Sequence, residues 1–173
     1  MTLLQENNAQ NERDLFFMRE ALKEAEKAFA KKEVPVGAVL VLENRIIARG
    51  HNQVEMLQDA TAHAEMLCLS SASASLGNWR LAEAILYSTL EPCPMCGGAI
   101  FAARVKRVVW GASDLRLGAG GSWIDLFSIK HPMHQVEVCK GVLAEPAGLL
   151  LKDFFKKQRK EGKIEQSCYT QRA

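Results

Sequence analysis

The sequence contains no apolar run near the roughly 18–20 residues that a helix needs to cross a bilayer. A helical membrane protein is therefore not expected. Its first residues, MTLLQENNAQNERD, have neither a basic n-region nor an apolar h-region, so they do not read as a signal peptide and a cytoplasmic location is the expectation. Cysteines are few, and their number, five, is odd. Without a secretion signal this argues against a disulfide framework and leaves reduced thiols or metal ligation. No repeat or linker is visible, and neither sign of charge dominates, the net charge being +2. What is present is ordinary for a globular chain. With 48% hydrophobic residues over 173 positions, it is long enough for one domain with a proper core.

Residues 1–13 are polar and read as a loose end. Asp14 can cap a helix over 15–32, whose apolar positions Leu15, Met18, Leu22, Ala25 and Phe29 recur at helical spacing. Residues 34–42 and 45–50 read as two strands joined at Glu43-Asn44, a hairpin, and 51–60 as a loop. Thr61 is a candidate N-cap for a helix ending near Gly77. A strand over 83–90, a helix from Pro94, a strand over 105–112 and a Gly-rich loop follow. A strand over 135–142 and a helix opening at Pro146 complete the chain. Strands separated by helices imply a sheet covered on both faces, and the hairpin makes that sheet mixed.

Two short segments carry the chemistry, TAHAEMLCLS and EPCPMCGGAI. His63 and Glu65 fall at the start of one helix, and Cys93 and Cys96 flank the start of the next. Both helices follow strands or their loops, where α/β sheets usually place their sites. A helix N-terminus favours thiolate, so a C-x-x-C there can grip one metal with both sulfurs. His63 adds a nitrogen ligand. Three protein ligands with an open fourth position mark a catalytic zinc rather than a structural one. Glu65, two residues from His63, can take a proton from a metal-activated water and return it to substrate. Taken singly, each piece has a plainer use. His63 can be structural, the cysteine pair redox-active or half of a zinc knuckle, and Glu65 a first-turn acid favoured by the helix dipole.

Together, H-A-E and P-C-P-M-C form the signature of the zinc deaminases. The chain resembles the cytidine deaminase-like superfamily, and closely its bacterial tRNA-specific adenosine deaminases of the TadA type. The blocks VPVGAVLV, TAHAEM, LYSTLEPCPMCGGAI, RVVWGASD, GAGGS and GVLAEPAGLLLKDFFKKQRK carry the likeness, from about Arg13 to Lys160. The resemblance implies an α/β fold, a three-layer α-β-α sandwich with a mixed five-stranded sheet, in one deaminase domain over 1–173. It implies one zinc ion per chain on His63, Cys93 and Cys96, with Glu65 as proton shuttle. The implied reaction is hydrolysis of adenosine to inosine at the wobble position of the tRNA anticodon, by a homodimer. Asn52 matches a base-contacting Asn, and Asp114 an Asp close to the RNA. Gln53, Ser113, Arg116 and Trp123 depart from residues common in the family. Arg116 keeps a charge that Gln53 and Ser113 lose.

From Lys152 onward, seven Lys or Arg stand against three Asp or Glu. This basic end can hold a polyanion or can simply be a solvated helix end. Phe154 and Phe155 cannot face the same way on a helix, so one is expected in the core and the other near RNA at the site. Arg116 and Phe155 thus join Asn52 and Asp114 as expected substrate contacts, with the tRNA anticodon stem-loop as partner. Cys68 and Cys139 read as core, Cys168 has no partner, and Trp79 and Trp110 read as packing residues. Two other functions compete. One is a deaminase of free bases or nucleosides, with little use for the basic end. The other is a non-catalytic zinc-dependent nucleic-acid-binding module, which requires a fourth ligand from His51, His131 or His134.

Overall fold

Alternation along three strands dictates the layers. In the computed structural model, which describes residues 3–130, 132 and 134–162 and only the backbone of 3–7, strand β1 (Gly37–Leu42) sends Ala38 and Leu40 into one apolar cluster and Val39 and Val41 into another. In β3 (Ile85–Leu90), Leu86 and Tyr87 divide the same way, as do Val108 and Val109 in β4 (Arg107–Ala112). Strands apolar on both faces need cover on both. Helices α1 (Leu3–Ala30) and α5 (Ala144–Lys160), which meet through Phe29 and Phe154, lie on one side. Between β2 (Arg45–His51) and β3 lies the short helix α2 (Val54–Leu57). Helices α3 (Ala64–Leu76) and α4 (Pro94–Ala102) cover the other face with Cys68, Leu69, Ile100 and Phe101. The result is the expected three-layer α-β-α sandwich.

The sheet has five strands, with β5 (Glu137–Lys140) last, in the order β2-β1-β3-β4-β5. β1 is antiparallel to both neighbours, whereas β3, β4 and β5 run parallel. The hairpin turns where expected. Glu43 and Asn44 have φ of 50° and 59°, the left-handed pair that a two-residue turn between twisted strands favours. The connection from β4 to β5 crosses the α3–α4 side, where Phe127 stacks on Phe101 at 5.5 Å between centroids.

Strands β1, β3, β4 and β5 are two to four residues shorter than expected and α5 opens at Ala144, two residues before Pro146; three differences go further. The first helix begins at Leu3, so residues 3–13 are helical and Asp14 is an interior, buried residue instead of a cap. Side-chain bonds from Arg13 to Gln10 and from Gln10 to Asp14 run along this added stretch at helical spacing. Thr61 does not cap α3. Its N–H and hydroxyl both donate to Asp59, and His63 takes the N-cap position. The 51–60 loop contains α2, whose first N–H groups find an acceptor in Glu33. Cys68 and Trp110 are core residues as expected, and Cys139 is partly buried against the second cluster. Trp79, by contrast, is half-exposed beneath the Arg80 guanidinium. Cys168 and His131 lie outside the described residues.

Candidate metal and substrate site

Two helix N-termini meet at one end of the sheet. Gly50 allows the first approach: a Cβ there would stand 2.9 Å from the Cys68 nitrogen, so only glycine lets α3 lie flush on β2. The second follows from β3, whose chain leaves the sheet through Glu91 and Pro92 and enters α4 with Cys93 as N-cap and Pro94 as first residue. Proline suits that position because its missing N–H would have had no helical partner. His63 and Cys93 both have extended backbones, and neither side chain caps its helix. Both remain available to a ligand.

The Sγ atoms of Cys93 and Cys96 each lie 3.6 Å from His63 Nδ1, and the three ligand atoms all fall within 4.8 Å of one another. Typical Zn–S and Zn–N bonds at a tetrahedral angle put sulfur and nitrogen about 3.6 Å apart. The spacing and the donor types therefore fit one zinc ion. The Cys93 thiol is held down to about 4 by the Cys96 thiol beside it and then by His63, against the effect of burial. Cys96 is pushed up by its Cys93 neighbour and by burial. A metal replaces both protons.

Glu65 lies in the first turn of α3 and is 3% exposed. Burial pushes its carboxyl above the ordinary glutamate value. No fourth metal ligand is seen among the described residues. His51 faces Lys31 and Glu24, and His134 lies 2.7 Å from the carbonyl of Val105.

A cavity of about 590 Å³ opens from this group. His63, Glu65 and Cys93 line it, and so do Asn52, Asp114, Arg116 and Phe155, brought together from three further segments. Of the aromatic pair, Phe154 is buried and Phe155 faces the cavity. The Arg116 guanidinium lies 5.9 Å from the Phe155 ring centroid. Asn52 is buried, and its Nδ2 donates to Glu33 Oε2 at 3.2 Å. Glu33 also accepts the N–H groups of Glu55 at 3.2 Å and Met56 at 2.6 Å. Sequence reasoning missed Glu33 and a second buried carboxylate, Glu91, although both line the cavity. The available signal was position: each is an acid beside an apolar strand and a proline.

The family model of the cytidine and deoxycytidylate deaminase zinc-binding region matches residues 11–112. The tRNA-specific adenosine deaminase of Bacillus subtilis (strain 168) is 51% identical over 150 residues, which cover 87% of this chain and 93% of that protein. The chloroplastic tRNA(adenine(34)) deaminase of Arabidopsis thaliana is 52% identical over 158 residues. That match covers 82% of this chain but spans only 12% of the plant protein. A solved structure from work on A-to-I editing by tRNA:A34 deaminases at the wobble position of transfer RNA aligns with a TM-score of 0.75 and 44% identity. It covers 79% of this chain and 99% of that one.

Proposed function

The chain belongs to the cytidine and deoxycytidylate deaminase zinc-binding family, and from that premise we infer that it is a tRNA-specific adenosine deaminase. The reaction is hydrolytic: adenosine at the anticodon wobble position and water give inosine and ammonia. One observation carries the reading. Three convergent metal-type ligands stand beside a buried carboxyl, Glu65, which with His63 and Cys93 lines a cavity.

His63, Cys93 and Cys96 are the residues that would hold the zinc. When bound, zinc supplies a Lewis acid that lowers the pKa of water from about 15.7 to about 7. Glu65 takes one proton from the attacking water and passes it to the ring nitrogen beside C6, then takes the second from the hydroxyl now on C6 and delivers it to the amine, which departs as ammonia. Its burial favours the first transfer, because a carboxyl with a raised pKa is the stronger base toward the water proton. Asn52, held by Glu33, hydrogen-bonds the base. Phe155 supplies an apolar wall for the flipped nucleotide, and Asp114 and Arg116 meet the flanking RNA. A single-stranded loop is a suitable substrate because its base costs little to extrude.

The reading includes a cytoplasmic homodimer. An apolar groove between α3 and α4, lined by Met66, Leu69, Trp79, Ala99 and Ala102, supports it, with Trp79 half-exposed at the rim. Sedimentation at micromolar concentration should show a dimer, and a monomer would count against it.

The function is tested by incubating the purified protein with total tRNA and, separately, with free nucleosides and bases. Inosine and ammonia should appear in the tRNA arm. Product only in the nucleoside or base arm would move the assignment to a small-substrate deaminase.

A further inference from the structure

We infer that Glu91 is a positioning residue, whose carboxylate fastens the 114–122 loop to the turn carrying Cys93 and so sets where the Asp114–Leu117 wall stands for the incoming nucleotide. The role in substrate placement rests on the tRNA reading above. The fastening itself does not.

Glu91 follows the last residue of β3 and stands two residues before Cys93, and it is 3% exposed. Its Oε1 accepts the N–H of Gly120 at 2.8 Å and of Ser122 at 3.1 Å. Its Oε2 accepts the N–H of Asp114 at 3.1 Å and the hydroxyl of Ser122. An ionised carboxylate offers about four acceptor sites, and these four donors fill them. No lone pair is left for a substrate proton. That separates Glu91 from Glu65, although both are buried carboxyl groups of one cavity. All four donors also come from one loop, so the carboxylate serves that loop as a neighbouring strand would.

The loop is shaped to receive it. A Cβ on Gly118 would stand 2.6 Å from Glu91 Oε1, and one on Gly120 would stand 3.2 Å from the same oxygen and run into the Trp110 ring. With no side chains there, the carboxylate enters the loop from inside. Lys140 closes the opposite side: its ammonium donates to the Gly120 carbonyl and lies 5.5 Å from the Trp110 centroid. Backbone bonds join the same segments, from Glu91 N–H to Ala112 O and from Ala119 N–H to Pro92 O, both at 2.8 Å. Asp114 transmits the order onward. Its own N–H is held by Glu91, and its Oδ1 accepts the N–H groups of Arg116 at 3.0 Å and Leu117 at 3.2 Å. A continuous run of bonds thus leads from the metal-site turn to Arg116.

Glu91→Gln keeps the size but leaves one accepting oxygen, so two of the four donors meet an amide NH₂ group. Amide hydrogen exchange at Asp114, Gly120 and Ser122 should quicken about tenfold or more. The KM for an anticodon stem-loop should rise about tenfold, with kcat within about threefold of wild type and zinc content full. Unchanged exchange and unchanged KM would overturn the inference. So would a fall in kcat with KM and exchange unmoved, which would make Glu91 part of the chemistry. If Glu91→Gln does not fold, Ser122→Ala carries the test, since it removes one donor without touching the Cys93 turn. It should move exchange and KM in the same direction by a smaller factor, and no movement in either would overturn the inference. Wild-type protein inactive on the stem-loop would refute the tRNA reading, and the exchange data would still decide whether Glu91 holds the loop.

Discussion

Arg107 meets the Asp14 carboxylate with both terminal nitrogens, Nη1 at 2.8 Å from Oδ1 and Nη2 at 2.7 Å from Oδ2. The pair ties the interior of α1 to the first residue of β4. Tyr87 and Gln10 also donate to Oδ1, each at 2.9 Å. The arrangement is bidentate and largely shielded, the geometry in which an ion pair counts for most.

Its removal should be felt as stability. Burial alone would raise the Asp14 carboxyl, but the bonds from Arg107, Tyr87 and Gln10 outweigh it and hold the group below its ordinary value of 3.8. A carboxyl depressed in the folded state stabilises the fold above its unfolded pKa, and the contribution is lost as pH falls through the folded value. Asp14→Asn should cost about 2–3 kcal/mol at pH 7, somewhat less than a fully buried broken pair. The gap from wild type should narrow below about pH 4. Urea midpoints of both proteins between pH 7 and pH 2.5 check this, and parallel curves would contradict it.

Glu65→Ala should leave fold and zinc content nearly intact, because the group is proposed as a proton carrier and not a ligand. The rate on the anticodon stem-loop should fall by at least about 10²–10⁴-fold. Elemental analysis beside single-turnover kinetics checks both halves. Lost zinc or retained activity would remove Glu65 from its role.

Protein prepared without chelator should contain about one zinc per chain. His63→Ala and Cys96→Ser should each bind far less and lose activity. Full zinc occupancy in both variants, or none in the wild type, would contradict the ligand assignment.

Removing residues 156–173 takes away all but one of the seven basic residues beyond Leu151. The KM for the stem-loop should rise sharply while the zinc site stays loaded. Full-length binding should weaken steeply with salt, because contacts to phosphates release counterions. Equal kcat/KM for both proteins across a salt series would refute a role for this end and favour a small substrate.

The metal group and Glu65 were legible because ligand chemistry admits few residue types at few spacings. The layers were legible because apolar residues run through strands and recur on helices. The start of α1 was not. Apart from Leu3, Leu4 and Ala9 its first eleven residues are polar, and Asp14 mimics a cap while its actual partner, Arg107, lies 93 positions away. Glu33 and Glu91 were missed for a related reason. Most of their partners are backbone N–H groups, and every residue type except proline supplies one, so the sequence marks the place of each acid but not its partners.

The two ends of the sheet bear on how copies of the chain meet. β2 carries exposed Arg45 and Arg49, and the register of its pairing with β1 shifts between Leu40 and Val41. β5 is four residues long, with exposed Glu137 and Lys140 at its ends. Charge, brevity and a register break are how sheets avoid growing sideways into aggregates. Neither border offers a long, flat template for a further strand, so backbone zippering between neighbours is disfavoured. The homodimer proposed above would then form through side chains on the helical layers, where contacts can be specific and can end at two copies.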